Sequence, residues 1–283
     1  MTSSKLYGYL STKPFAEKPS WMACANGIHA SRAYAHCPIF HASRCGSTLL
    51  AQMLAALPDS IVLSEPPPLD SLLRAERTDP SSVGQAHAEA LLSAYGQPRQ
   101  GNERRLFVKL DTWNLFEAST LAALYPGVPR IFVYRDPLEI AVSQLRQPGM
   151  HCVPGLLGIT GLDASTDTQQ HLSRSTCISR VIGRTLEAGL KLCRHHGGIP
   201  VNYRELPSGA WGRLAAPFTI NEADIRLMEN AANFDAKRPE MAFSADGEQK
   251  RRAADAELWA DIARWACAPY SRLEKMRIGH LMQ

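Results

Sequence analysis

Five short, largely apolar runs alternate with stretches of helical spacing, and this alternation constrains the fold more than any other feature of the chain. The runs cover residues 37–41, 61–63, 105–110, 130–134 and 199–203. Apolar runs of this length suit strands buried on both faces, and a strand–helix alternation builds a parallel sheet. The expected fold is therefore α/β and P-loop-like: three layers, with a central parallel sheet of about five strands and helices on both faces. Helical spacing covers 49–57, 115–124, 138–145, 168–195, 223–232 and 253–276, with a polar loop between the last two. Residues 69–95 read as two helices broken near Pro80. The length of 283 residues suits one domain, 1–283. Residues 1–36, with Pro14 and Pro19, form an N-terminal arm in this reading. Residues 147–168 hold two prolines and four glycines, and a loop this long is expected to serve as a mobile lid over substrate.

Ligands of a parallel sheet bind beyond the carboxyl ends of its strands. The first apolar run ends there in His41-Ala42-Ser43-Arg44-Cys45-Gly46-Ser47-Thr48, and a helix follows. A turn entering a helix gathers free backbone N–H groups and the positive end of the helix dipole at one point, which suits an anion. Gly46 permits close backbone approach, while Ser47 and Thr48 add hydroxyl donors. Against the pattern G-x-x-x-x-G-K-[ST], His41 replaces the first glycine and Ser47 replaces the lysine; Thr48 fits. Arg44 supplies a cation on the other side of Gly46. One phosphate beside a cation suits this loop better than a magnesium triphosphate. The plainer alternative is a tight turn leading into a capped helix.

Composition narrows the partners. A net charge of +4, from 31 basic and 27 acidic residues, accommodates an anionic ligand. The longest basic run, Lys250-Arg251-Arg252, is too short to indicate nucleic acid. Seven cysteines at irregular spacings, with no C-x-x-C pair, suggest free thiols in a reducing compartment. No stretch reaches the roughly 20 apolar residues of a membrane span, and residues 1–14 lack the pattern of a secretory leader. A cytoplasmic protein is expected, with no membrane and no nucleic-acid partner. The pairs His36/His41 and His195/His196 lack helical ligand spacing, so no metal is expected.

The segment Arg44-Cys45-Gly46-Ser47-Thr48-Leu49-Leu50 resembles the 5′-phosphosulfate loop of sulfotransferases that use 3′-phosphoadenosine 5′-phosphosulfate (PAPS). Arginine at the basic position resembles bacterial members and the tyrosylprotein branch. Val133-Tyr134-Arg135-Asp136-Pro137, with Ser143 eight residues after Arg135, is similar to the family's 3′-phosphate motif. Glu65 lies 21 residues after Arg44, the separation of the catalytic glutamate in the tyrosylprotein branch. Val201-Asn202-Tyr203-Arg204-Glu205-Leu206 is similar to a late tyrosine–acid strand end. These matches follow family order over residues 37–206. The resemblance implies PAPS as co-substrate, 3′-phosphoadenosine 5′-phosphate (PAP) as product, no metal requirement, and a small-molecule acceptor with a hydroxyl or amine. It gives Arg44 and Glu65 catalytic roles, as stabiliser of departing PAP and as general base. It places the nucleotide on Arg44, Cys45, Gly46, Ser47, Thr48, Leu49, Arg135, Ser143 and Lys250.

Other readings accompany it. Asp136, Pro137 and Glu139 suit a helix start, with Asp136 as N-cap and Glu139 completing a capping box. His41 is a reserve base. Lys109 is either a ligand of the acceptor or sulfuryl group or a surface lysine, and Asp111 and Trp113 are candidates to line the acceptor pocket. Specificity is expected in residues 66–100 and 147–168. The rival functions are a small-molecule kinase on the same fold and a PAP-binding module without catalysis.

Overall fold

The computed structural model describes residues 35–78, 85–124, 126–157, 160, 162, 172–235, 238–242 and 247–281. The expected arm, apart from its last two residues, lies outside them, as does much of the second half of 147–168. Strands β1 (Ala35–His41), β2 (Ser60–Ser64), β3 (Arg105–Lys109), β4 (Arg130–Tyr134) and β5 (Gly198–Asn202) form an all-parallel sheet in the order β2-β3-β1-β4-β5. Every residue of β3 and β4 is buried. That is the consequence of covering both faces, and it explains why these strands read as continuous apolar runs.

Helices α1 (Ser47–Ala55), α2 (Pro67–Thr78), α3 (Gln85–Tyr95), α4 (Ala118–Leu124), α5 (Pro137–Arg146) and α6 (Arg174–His195) fill the crossovers. After β5, two one-turn helices lead to α7 (Glu222–Ala232). Right-handed crossovers set α1 on one face of the sheet and the crossover helices that follow on the other. On the first face α7 packs along α1, where the Gln52 amide donates to the Ala231 carbonyl at 2.8 Å. On the second, α6 crosses β4 so closely that Gly189 lies directly on the Phe132 ring.

Several boundaries moved for local reasons. Helix α6 starts at Arg174, because the Ser173 hydroxyl accepts the Thr176 N–H and caps it. The stretch 115–124 divides into a 3-10 helix, Thr112–Glu117, and α4. The loop expected between 232 and 253 contains a hairpin, β6 (Phe234–Asp235) with β7 (Arg238–Ala242), and helix α8 (Gly247–Arg252). The last helical stretch is two helices, α9 (Ala256–Trp265) and α10 (Cys267–Leu281). Pro269 falls in the first turn of α10, where a missing N–H costs nothing, and could not have continued α9. Among the described residues no helix is long and apolar enough to cross a membrane.

At the amino edge of the sheet, the Arg105 side chain is buried and bridges Asp59 and Asp224, the latter at 3.0 Å. It joins β3 to the start of α7. Arg105→Ala strands the buried Asp224 carboxylate and should destabilise the fold by about 3–5 kcal/mol, read from the shift in a urea unfolding midpoint.

Candidate functional site

The sheet register brings the sequence-selected residues to one edge. Ile39 pairs with both Lys109 and Ile131, His41 with Val133, and Ser64 with Lys109. Asp111 follows the end of β3 by two residues and Arg135 follows the end of β4 by one, so both lie at this edge. Of the non-glycine residues with left-handed backbone among those described, Ser43 (φ 60°), Arg44 (φ 49°) and Glu65 (φ 52°) all lie at this edge. Such conformations cost of order 1–3 kcal/mol each and concentrate at functional sites.

The loop after β1 is built from that strain. Ser43, Arg44 and Gly46 (φ 87°) have left-handed backbone, and Gly46 passes directly into the first turn of α1. The Val133 carbonyl fastens both ends, accepting the Ala42 N–H at 2.9 Å and the Cys45 thiol at 3.1 Å. Gly46 is the N-cap of α1 and provides no side-chain cap. The first turn, Ser47 to Leu49, therefore presents amides without intrahelical partners. Leu49 offers only its amide, since its side chain is buried in the core. Arg44 is half-buried and donates to the Gln147 carbonyl at 2.8 Å; it makes no ion pair among the described residues. Tyr203 lies over Gly46, where a Cβ would come within 2.6 Å of the ring.

The same ring faces Arg135, whose guanidinium carbon is 4.1 Å from the ring centre. Arg135 is buried and donates from Nε to Glu139 at 2.6 Å. Arg251, on α8, reaches Asp136 at 2.8 Å and Glu139 at 3.0 Å. The expected capping box is corrected here. Asp136 does cap α5, accepting the Leu138 N–H at 3.0 Å, but the Glu139 carboxylate binds two guanidinium groups, which outcompete a backbone N–H. The Ser143 hydroxyl donates back to the Glu139 carbonyl at 2.9 Å. Lys250 is buried in α8, and Arg251 of the same basic run pairs with Asp136. Glu205 turns away from the edge to pair with Arg213 at 2.6 Å.

On the other side of the loop, Glu65 forms an ion pair with Lys109, and its Oε1 lies 3.5 Å from His41 Nε2. Lys109 is only 5% exposed, which removes the surface-lysine alternative. His41 and then Lys109 hold the Glu65 carboxyl down at about 2 against partial burial, although Lys109 makes the closer contact. His41 Nδ1 accepts the Ser43 N–H at 3.0 Å, so the ring proton sits on Nε2 and points toward Glu65. Burial lowers the His41 pKa and keeps the ring neutral. In that state His41 Nε2 faces Glu65 without a hydrogen-bond partner among the described residues, and Nδ1, already accepting the Ser43 N–H, has no free lone pair for a base.

Asp111 lies beyond Lys109. Burial first, then the charges of Glu65 and Asp70, raise its pKa to about 7. Trp113 is buried, and its indole N–H donates to Asp70 at 2.6 Å. Sequence reasoning missed Gln144 and His151. Gln144 is fully buried; its amide donates to Ser43 Oγ at 3.1 Å and accepts the Gly149 N–H at 2.7 Å. Its Nε2 also lies 3.4 Å from His151 Nε2. Burial, then His41 and Arg44, lower His151 to about 4, so it stays neutral. Nothing in the local pattern of Gln144 distinguishes it from any polar helix residue. The described part of 147–168 is thus fastened to the loop through Gln144 and Arg44, and to α2 through the bond from Arg74 to the Leu157 carbonyl at 2.5 Å.

No protein-family model matches the chain, and no curated protein matches it. The arrangement itself therefore carries the functional argument.

Two outcomes follow from this geometry. Gly46→Ala should cost at least about 1 kcal/mol from left-handed backbone alone, displace Tyr203, and lower the urea midpoint. Glu65→Gln should be less stable than wild type above pH 4.5, with the difference closing as pH falls toward about 2, because only the ionised carboxylate pairs with Lys109. Urea unfolding of both proteins across that range checks the sign.

Proposed function

We propose that this protein transfers a sulfuryl group from PAPS to a hydroxyl or amine of a small-molecule acceptor. One observation carries the reading: Tyr203 touches both the anion-binding loop at Gly46 and the buried Arg135, so two anion sites lie side by side on the ends of β1 and β4. A nucleotide with phosphate at both its 5′ and 3′ positions matches two such sites, and a simple nucleoside monophosphate does not.

In this reading the amides of Cys45 to Leu49 and the hydroxyls of Ser47 and Thr48 hold the 5′-phosphosulfate. Arg135, Ser143 and the basic run on α8, Lys250 and Arg251, take the 3′-phosphate. Among the described residues Arg44 is held by a neutral carbonyl alone, so its charge is available to the bridging oxygen as PAP departs. Transfer is an in-line displacement at sulfur. Positioning and charge stabilisation dominate such reactions, and Arg44 and Lys109 supply cations without requiring a metal. The resemblance gives the acceptor proton to Glu65. The described cysteines are free thiols, which suits a cytoplasmic location.

Isothermal titration without magnesium should give tight binding of PAP and weak binding of ADP and AMP. Equal affinities for PAP and ADP would rule out the 3′-phosphate site. Arg44→Ala should keep the fold and lower turnover of PAPS by roughly 100-fold or more, the usual loss when a preorganised donor to the developing charge is removed.

A further inference from the structure

One polar side chain beside the loop is completely buried and uses both ends of its amide. Gln144 lies on α5, one residue after Ser143, and is 0% exposed. Its Oε1 accepts the Gly149 N–H at 2.7 Å. A backbone N–H can only donate, so this contact fixes the orientation of the amide and leaves Nε2 for the other side. Nε2 donates to Ser43 Oγ at 3.1 Å and lies 3.4 Å from His151 Nε2. Burying a primary amide costs free energy unless both its ends are paired, and an apolar residue at this helix position would make no such demand.

The two residues that Gln144 holds stand on either side of Arg44. Ser43 precedes it in the loop, and both have left-handed backbone (φ 60° and 49°). Gly149 follows Gln147 by two residues, and the Gln147 carbonyl accepts the Arg44 guanidinium at 2.8 Å. The Gln147 N–H donates in turn to the Ser143 carbonyl at 3.0 Å, where α5 ends. One buried amide thus ties down both the backbone from which Arg44 projects and the turn that seats its head. That turn is also packed against the His151 ring, since a Cβ on Gly149 would come within 2.7 Å of it.

We infer that Gln144 is a positioning residue for sulfuryl transfer and that it acts through Arg44. This role rests on the sulfotransfer reading and extends it. The bond from sulfur to the 5′-phosphate oxygen breaks as the acceptor bonds to sulfur, PAP leaves with that electron pair, and charge develops on the bridging oxygen. Arg44 stabilises that charge only from a fixed position, because a displacement of about 1 Å can cost roughly 100-fold in rate. Two successive non-glycine residues in left-handed backbone persist only where surrounding contacts hold them, and the bond from Gln144 to Ser43 is such a contact. Among the described residues the hydrogen bonds of Gln144 reach none of the amides of Cys45 to Leu49. Loss of its amide therefore spares nucleotide binding and slows transfer.

A double-mutant cycle tests this. Gln144→Met keeps most of the bulk of the side chain without its hydrogen bonds, and Ser43→Ala removes one of the two ties while leaving α5 untouched. Conversion of PAPS to PAP is followed in single turnover, with 4-nitrophenol as acceptor and with water alone. Gln144→Met should slow it by roughly 10-fold or more, and Ser43→Ala by less. In the Arg44→Ala background neither should slow it further by more than about 2-fold, the scatter expected of additive changes. PAP affinity by isothermal titration should stay within the same margin throughout. In protein labelled with 15N-arginine, the side-chain resonance lost in Arg44→Ala should show hindered guanidinium rotation in wild type and free rotation in Gln144→Met. Equal slowing by Gln144→Met in both backgrounds overturns the inference, because the amide then supports the fold and not Arg44; wild-type turnover in Gln144→Met overturns it as well. Where Gln144→Met does not fold, Ser43→Ala carries the same cycle. Tight PAP binding beside a failed cycle leaves the sulfotransfer reading standing. Wild-type protein that converts no PAPS overturns the role in transfer, and one that also fails to bind PAP overturns the sulfotransfer reading.

Discussion

The carbonyl of Val133 carries more of the architecture than its place near the end of a strand suggests. It accepts the Ala42 N–H, which continues the ladder between β1 and β4, and the Cys45 thiol, which closes the loop back onto the sheet. Two fixed points three residues apart leave Ser43 and Arg44 no extended path between them, so both adopt left-handed backbone. The exit direction of α1 and the position of Arg44 both follow. The cost is met by a close-packed core in which β3 and β4 are buried along their whole length.

The charges along this edge form a graded series. Lys109 and Arg135 are buried and each rests on a carboxylate, so their positive charge is largely balanced in place. Arg44 alone among the three rests on a carbonyl. A hydrogen bond to a neutral acceptor is weaker than one to a charged group and is the easier to exchange for an incoming anion. The edge is thus preorganised on both flanks and adaptable in the middle. Glu139 contributes to this by holding Arg135 and Arg251 together, so that a rigid guanidinium pair, not two mobile side chains, stands behind Tyr203.

Much of this was legible in the residues, because it depends on local rules. Buried parallel strands are short and apolar, and helix starts are punctuated, so the order of β1 to β5 and the loop at His41–Thr48 could be read directly. The cap at Asp136 was equally local. What escaped depends on contacts far apart in sequence. Besides the local Arg135, Glu139 pairs with Arg251, more than a hundred residues on, and a capping-box pattern is silent about it. The raised pKa of Asp111 comes from burial first and then from Glu65 and Asp70 on other elements, and composition around Asp111 gives no sign of them. The hairpin β6–β7 contains Pro239 and few apolar residues, so it lacks the alternation by which strands are recognised.

The contact between Gly46 and Tyr203 has a consequence for how such a chain changes over generations. No side chain larger than hydrogen fits at 46 while the ring occupies its place, and the ring is held from the other side by Arg135. The two positions are distant in the chain yet form one heritable unit. A side chain at 46 therefore requires the ring at 203 to move and a left-handed backbone to be tolerated at the same time, so a change at one position alters what the other accepts.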